Sequence, residues 1–155
     1  MPNPLSYWES LTQAVRASIA KELVGTPVFV RWTLLVARDR KDFESLIAKM
    51  LLAVDEWFES EVVRLMALAP DDPCALAVSA EFAGGETALL TAGISRQQPA
   101  IDFILLGNEG ASYQHELSHR LHDQSFAVPK SAATDAIVER LRDSLRLGTP
   151  IKIGA

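Results

Sequence analysis

The sequence predicts an α+β fold: one open, mainly antiparallel sheet with helices packed on one face. Three observations predict it. Three segments repeat apolar residues at helical spacing. Between the second and third lie short alternating runs separated by Pro, Gly and Asp turns. And one phrase occurs twice, as Leu23-Val24-Gly25-Thr26-Pro27-Val28-Phe29-Val30 and as Leu147-Gly148-Thr149-Pro150-Ile151-Lys152-Ile153. Each copy joins a helix end to a strand start. Glycine can take the left-handed conformation that closes a helix, proline stops it from continuing, and the β-branched residues that follow favour extended backbone.

The first helix is introduced by Ser6 and Glu9, spaced as a capping box. Leu5, Trp8, Leu11, Val15, Ile19 and Leu23 form its apolar stripe. The first strand, about Val28 to Ala37, places Val28, Val30, Trp32, Leu34 and Val36 on one face and Phe29, Arg31, Thr33 and Leu35 on the other. Asp39 or Asp42 can cap the second helix, whose broad face comprises Phe43, Leu46, Ile47, Met50, Val54, Trp57 and Phe58. Val62 to Leu68 reads as a strand, and Pro70-Asp71-Asp72-Pro73 as a turn. From Cys74 to Phe82 the alternation points Cys74, Leu76, Val78, Ala80 and Phe82 inward. Gly84-Gly85 then turns the chain into a returning strand from Glu86 to Ile94. Ala100 to Leu106 and Ala111 to His115 are two further strands. Glu116 to Lys130 is polar and takes no assignment. Ala132 to Leu147 is a third helix striped by Ile137, Val138, Leu141 and Leu145. Residues 1–155 read as a single domain.

Composition excludes several function classes. A net charge of −5 with scattered basic residues disfavours binding to nucleic acid or to an anionic membrane. Arg38, Arg40 and Lys41 lie beside Asp39 and Asp42, the pattern of a solvated helix start. The lone cysteine, Cys74, excludes an internal disulfide and reads as a small core residue in a reducing compartment. No signal-peptide pattern and no apolar run of membrane-spanning length is present, so the cytoplasm is the expected location.

Five segments together resemble the C-terminal domain of the Gfo/Idh/MocA oxidoreductases, in the right order along most of the chain. They are Leu23 to Arg31, Trp57 to Ala67, Phe82 to Leu90 with Gly84-Gly85, Ile104 to Tyr113 with its Gly-x-x-Gly turn, and the closing Ser144 to Ile153. The resemblance implies an open sheet whose exposed face packs against another subunit. It also implies an N-terminal nucleotide-binding domain with a Gly-x-Gly-x-x-Gly turn, and this sequence contains no such turn. A mononucleotide-binding βαβ unit alone takes roughly 30 residues, whereas the strand resembling the second domain's first already begins near Val28. The family's Lys-Pro motif belongs to that first domain. Its second-domain His and Asp lie seven and four residues before the tryptophan matched by Trp57, and those positions here are Met50 and Ala53. Neither can carry a proton. No cofactor is therefore expected.

The sharpest chemical alternative is the segment 113–122, which holds all three histidines. His115-Glu116-Leu117-Ser118-His119 matches the zincin pentapeptide, which on a helix places two imidazoles on one face with a glutamate base between them. His122 could supply a third ligand. The surrounding Gln114, Ser118, Arg120 and Asp123 are polar, unlike the apolar helix such a site needs, and the resemblance puts His115 where a strand gives way to a loop. A solvated or interface segment is the expected reading, with no metal and no catalytic residue.

The expectation for function is thus a non-catalytic assembly or accessory subunit. Its partner would be a second copy or a full-length Gfo/Idh/MocA-type oxidoreductase. The expected interface is the sheet face away from the helices, carrying Phe29, Arg31, Thr33, Leu35, Ser79, Glu81, Thr87, Leu89 and Thr91, with Ala77 and Asp102 beside them. This mixture is too apolar for a solvated face and too polar for a second core. A small zinc-dependent hydrolase using His115, Glu116 and His119, and a domain binding a sugar-like molecule without chemistry, are the alternatives.

Overall fold

The structure is a computed structural model. It describes residues 7–37, 40–72, 74–95, 99–117 and 127–153, and for residues 115–117 the backbone alone. The elements, in chain order, are α1 (Tyr7–Ala20), β1 (Pro27–Val36), α2 (Phe43–Phe58), β2 (Val62–Leu68), β3 (Ala75–Phe82), β4 (Thr87–Ile94), β5 (Ala100–Gly107), β6 (Ala111–Leu117), α3 (Ala132–Leu147) and β7 (Ile151–Lys152). The strands form one seven-stranded sheet in the order β6-β5-β1-β4-β3-β2-β7. Every neighbouring pair is antiparallel except β1 with β4, which is parallel. The predicted α+β architecture is what the chain adopts.

One face of the sheet is the core. Val30, Trp32, Leu34 and Val36 of β1 are buried with Leu76, Val78, Ala80 and Phe82 of β3 and Ala88, Leu90 and Ala92 of β4. Ile101, Phe103 and Leu105 of β5 and Leu65 and Ala67 of β2 complete it. The helices cover this face with the predicted stripes. All seven apolar residues named for α2 are buried, as are Trp8, Leu11 and Val15 of α1 and Val138 and Leu141 of α3. At the centre Trp32 touches Trp57, Phe103 and Trp8, and its indole N–H donates to the Tyr7 hydroxyl at 3.1 Å.

Four local expectations need correction. Helix α1 stops at Ala20, and Glu22 takes a positive φ of 55°, so Leu23 leaves the stripe and is exposed. Val28 is exposed because the β1–β5 register shifts between Pro27 and Phe29. Cys74 is exposed rather than buried: it precedes β3 in a turn, where its N–H bonds to the Asp72 carbonyl. Asp42 does stand at the N-cap of α2, but its carboxylate takes the Arg40 guanidinium at 2.9 Å and makes no cap bond. Ser6, Asp39 and Leu5 lie outside the described residues.

The second copy of the repeated phrase ends as expected. Gly148 is the C-cap of α3, with φ 66° and its N–H on the Ser144 carbonyl. Ser144 also carries the link from helix to sheet. Its side chain is fully buried, accepts from the Ala67 N–H at 3.0 Å and donates to the Thr149 carbonyl at 2.8 Å. It thereby satisfies part of the β2 edge that the two-residue β7 leaves unpaired. Ser144→Ala orphans the buried Ala67 N–H, at about 1–3 kcal/mol, while the carbonyl of exposed Thr149 can turn to water. We expect a loss of about 2 kcal/mol in urea unfolding; an unchanged midpoint would show that the β2 edge does not need this contact.

Candidate functional site

The face opposite the core is left uncovered by the described helices. The strand registers arrange it as parallel rows running across the sheet. One row reads Leu106, Phe29, Thr87, Glu81, Arg64. The next reads Tyr113, Ile104, Arg31, Leu89, Ser79, Met66. The third is Asp102, Thr33, Thr91, Ala77, Leu68, with His115 as the register partner of Asp102. All nine residues named for the interface fall on this face, as do Ala77 and Asp102.

The face is apolar in its middle and carries two ion pairs. Leu89, on the central strand, is 41% exposed, and Tyr113 near the β6 edge is 59% exposed. Arg64 donates to Glu81 at 2.6 Å. Arg31 lies 3.7 Å from Asp102, an ion pair too long for a hydrogen bond. Asp102 also accepts from the Tyr113 hydroxyl, and this bond, with burial and the carboxylate's charge, pushes the Tyr113 pKa above its ordinary value. Tyr113 therefore remains a protonated donor at neutral pH.

Sequence reasoning missed Ile104, Leu106, Tyr113, Arg64, Met66 and Leu68. Their alternation with Leu105, Phe103, Leu65 and Ala67 was a usable signal. Assigning them to the same face as Leu89 also required the strand order.

The helix positions that the sequence resemblance matched to the family's acid–base pair are apolar. Met50 is fully buried inside the core, and Ala53 is partly buried beside a shallow groove of about 270 Å³ between α1 and α2. That groove is lined by Trp8, Glu9, Lys49 and Glu56 among others, and an Arg16–Glu56 ion pair spans it. None of its charged residues occupies either position.

The histidine segment does not take the form its motif requires. His115, Glu116 and Leu117 are the last three residues of β6, so the first part of the pentapeptide is strand, not helix. The strand runs past the expected strand-to-loop change at His115. His119 and His122 lie outside the described residues. Among the described residues no three His, Cys, Asp or Glu side chains gather as a metal site, and no described helix is long and apolar enough to cross a membrane.

No protein-family model matches this chain, and no curated protein sequence matches it. Solved structures do. The chain is similar to scyllo-inositol dehydrogenase from Lactobacillus casei with bound NAD(H) and scyllo-inositol, at TM-score 0.72 and 10% identity over 96% of this chain and 64% of that one. It is similar to myo-inositol 2-dehydrogenase from Lactobacillus plantarum, at TM-score 0.71 and 11% identity over 92% and 61%. A third, a myo-inositol dehydrogenase from Corynebacterium glutamicum, gives TM-score 0.68 and 11% identity over 93% and 61%. The chain spans 61–64% of the length of these proteins. It has the fold of the C-terminal domain of Gfo/Idh/MocA-type dehydrogenases, as the sequence resemblance implied.

Proposed function

We propose that this chain is a non-catalytic assembly or accessory subunit built on an oxidoreductase substrate-domain fold, and that it associates with a second copy of itself through the open sheet face. The observation that carries this reading is the face that no described helix covers, with Leu89 exposed at its centre and Phe29, Leu35, Ile104 and Leu106 half-buried around it. Six strands about 4.8 Å apart and four alternate positions about 6.8 Å apart span roughly 750 Å². A stable dimer takes about 800 Å² per partner. Met50 and Ala53 support the absence of proton-transfer chemistry of the family's kind. The zinc-hydrolase alternative is disfavoured by the strand at residues 115–117.

The test is the mass in solution. Light scattering of the full chain at high micromolar concentration is expected to return a dimer or a larger assembly. A stable monomer there overturns self-association and leaves only a separate partner, of which a full-length Gfo/Idh/MocA-type oxidoreductase is the one the fold suggests.

A further inference from the structure

We infer that the two copies meet about a two-fold axis running along β4, so that Arg31 of each copy pairs with the partner's Glu81. The inference rests on the sheet-face reading above and specifies its geometry. In the strand order, β4 is the fourth of seven, with β1 on one side and β3 on the other. A two-fold axis along β4 lays β1 of one copy over β3 of the other. It also brings Leu89 against its own copy, as an isologous contact requires.

The registers then fix who meets whom. Arg31 and Ser79 both pair with Leu89, and Glu81 pairs with Thr87, two residues along β4. Arg31 and Glu81 are thus each one strand from the axis and one row apart, about 6.8 Å along the strands. Packed sheets lie about 10 Å apart with their side chains interdigitating, a gap that an arginine and a glutamate span from opposite sides.

Both side chains can take the additional partner. Arg31 is half-exposed and held to Asp102 only at 3.7 Å. Glu81 is half-exposed and bonds Arg64 through Oε1, and a carboxylate with two oxygens accepts a second guanidinium. From β5 to β2 the face carries two arginines, Arg31 and Arg64, against two acids, Glu81 and Asp102. Lys152 of β7, the register partner of Arg64, adds one more positive charge at the margin, so two copies of a chain of net charge −5 can approach through this face without net negative repulsion. An axis perpendicular to the strands is disfavoured by the same charges. It would keep β1 over β1 and β3 over β3, gathering the two Arg31 side chains in one column and the two Glu81 side chains in another.

The test is a charge exchange between copies. R31E makes this part of the face acidic, and E81R makes it basic. Each variant alone is expected to weaken self-association at least about a hundredfold, because like charges then meet twice across the axis. An equimolar mixture of the two should form a one-to-one dimer, since both cross-axis pairs are again opposite in sign. The double variant R31E/E81R should self-associate more tightly than either single variant, though below the wild type because each copy loses its own Arg31–Asp102 and Arg64–Glu81 pairs; this recovery also shows that neither change prevents folding. If the wild type dimerises but either single variant dimerises equally well, or the mixture stays monomeric, this axis is wrong while the sheet-face reading stands. A monomeric wild type removes that reading and this inference together.

Discussion

Trp32→Ala is expected to remove a third or more of the domain's folding stability. Trp32 is fully buried on β1 and lies where α1, α2 and the sheet meet. Its ring is 5.5 Å from Trp57 of α2, 5.8 Å from Trp8 of α1 and 5.6 Å from Phe103 of β5, the last two edge-on. Truncating a buried tryptophan to alanine costs about 3–5 kcal/mol, because the lost contacts are only partly recovered by collapse. The lost bond to the Tyr7 hydroxyl adds about 1 kcal/mol. A domain of this size is stable by about 5–15 kcal/mol, so the loss is a large share of the whole. At about 2–4 °C per kcal/mol, the thermal midpoint should fall by roughly 8–24 °C. Trp32→Phe keeps an aromatic ring in the cluster and should cost less than half as much. Urea unfolding followed by far-ultraviolet circular dichroism measures both, and an alanine variant within about 1 kcal/mol of the wild type would mean that α1 and α2 hold the sheet without this cluster.

That cluster was legible in the sequence because each of its members belongs to a strong periodic stripe. Trp8, Trp32 and Trp57 all fall on the apolar face of their own element, and the intervals assigned to β2 and α3 are the observed ones. What was not legible depends on contacts far apart in sequence. The parallel pairing of β1 with β4 places Arg31 beside Leu89 across more than fifty residues, and no local pattern specifies it. The length of β6 has the same origin: Glu116 and Leu117 have no strand-forming context of their own, but Ile101 and Ala100 of β5 pair with them. Cys74 and Leu23 failed for a different reason. Each continues an apolar period one step past the point where the backbone turns, at the Asp72 carbonyl in one case and at Glu22 in the other. Alternation identifies a face, while only the turn geometry says where the face stops. The open face was therefore found from β1, β3 and β4 and truncated at its β2, β5 and β6 margins.

Leu89→Arg is expected to convert the proposed sheet-face dimer to monomers while leaving the chain folded. Leu89 stands on the central strand and is 41% exposed in the isolated chain, so the substitution removes little from the core. An arginine there can lay its aliphatic stem on the sheet and keep its head in water. Its register neighbours are Arg31 on β1 and Ser79 on β3, so the only new conflict within one copy is a solvated like-charge pair. Surface changes of this kind usually stay within about 0.5 kcal/mol. Between copies the conflict is severe. Two new guanidinium groups would meet near the axis, beside two existing Arg31 side chains, with no acid added to receive them. An uncompensated buried charge costs about 3–5 kcal/mol, which at about 1.4 kcal/mol per tenfold raises the dissociation constant roughly a hundred- to several-thousandfold. Sedimentation equilibrium reads the mass, and circular dichroism reads the fold. A folded Leu89→Arg chain that still dimerises as tightly as the wild type would move the contact off this face, with strand addition at a sheet edge, β6 or β7, as the next arrangement to test.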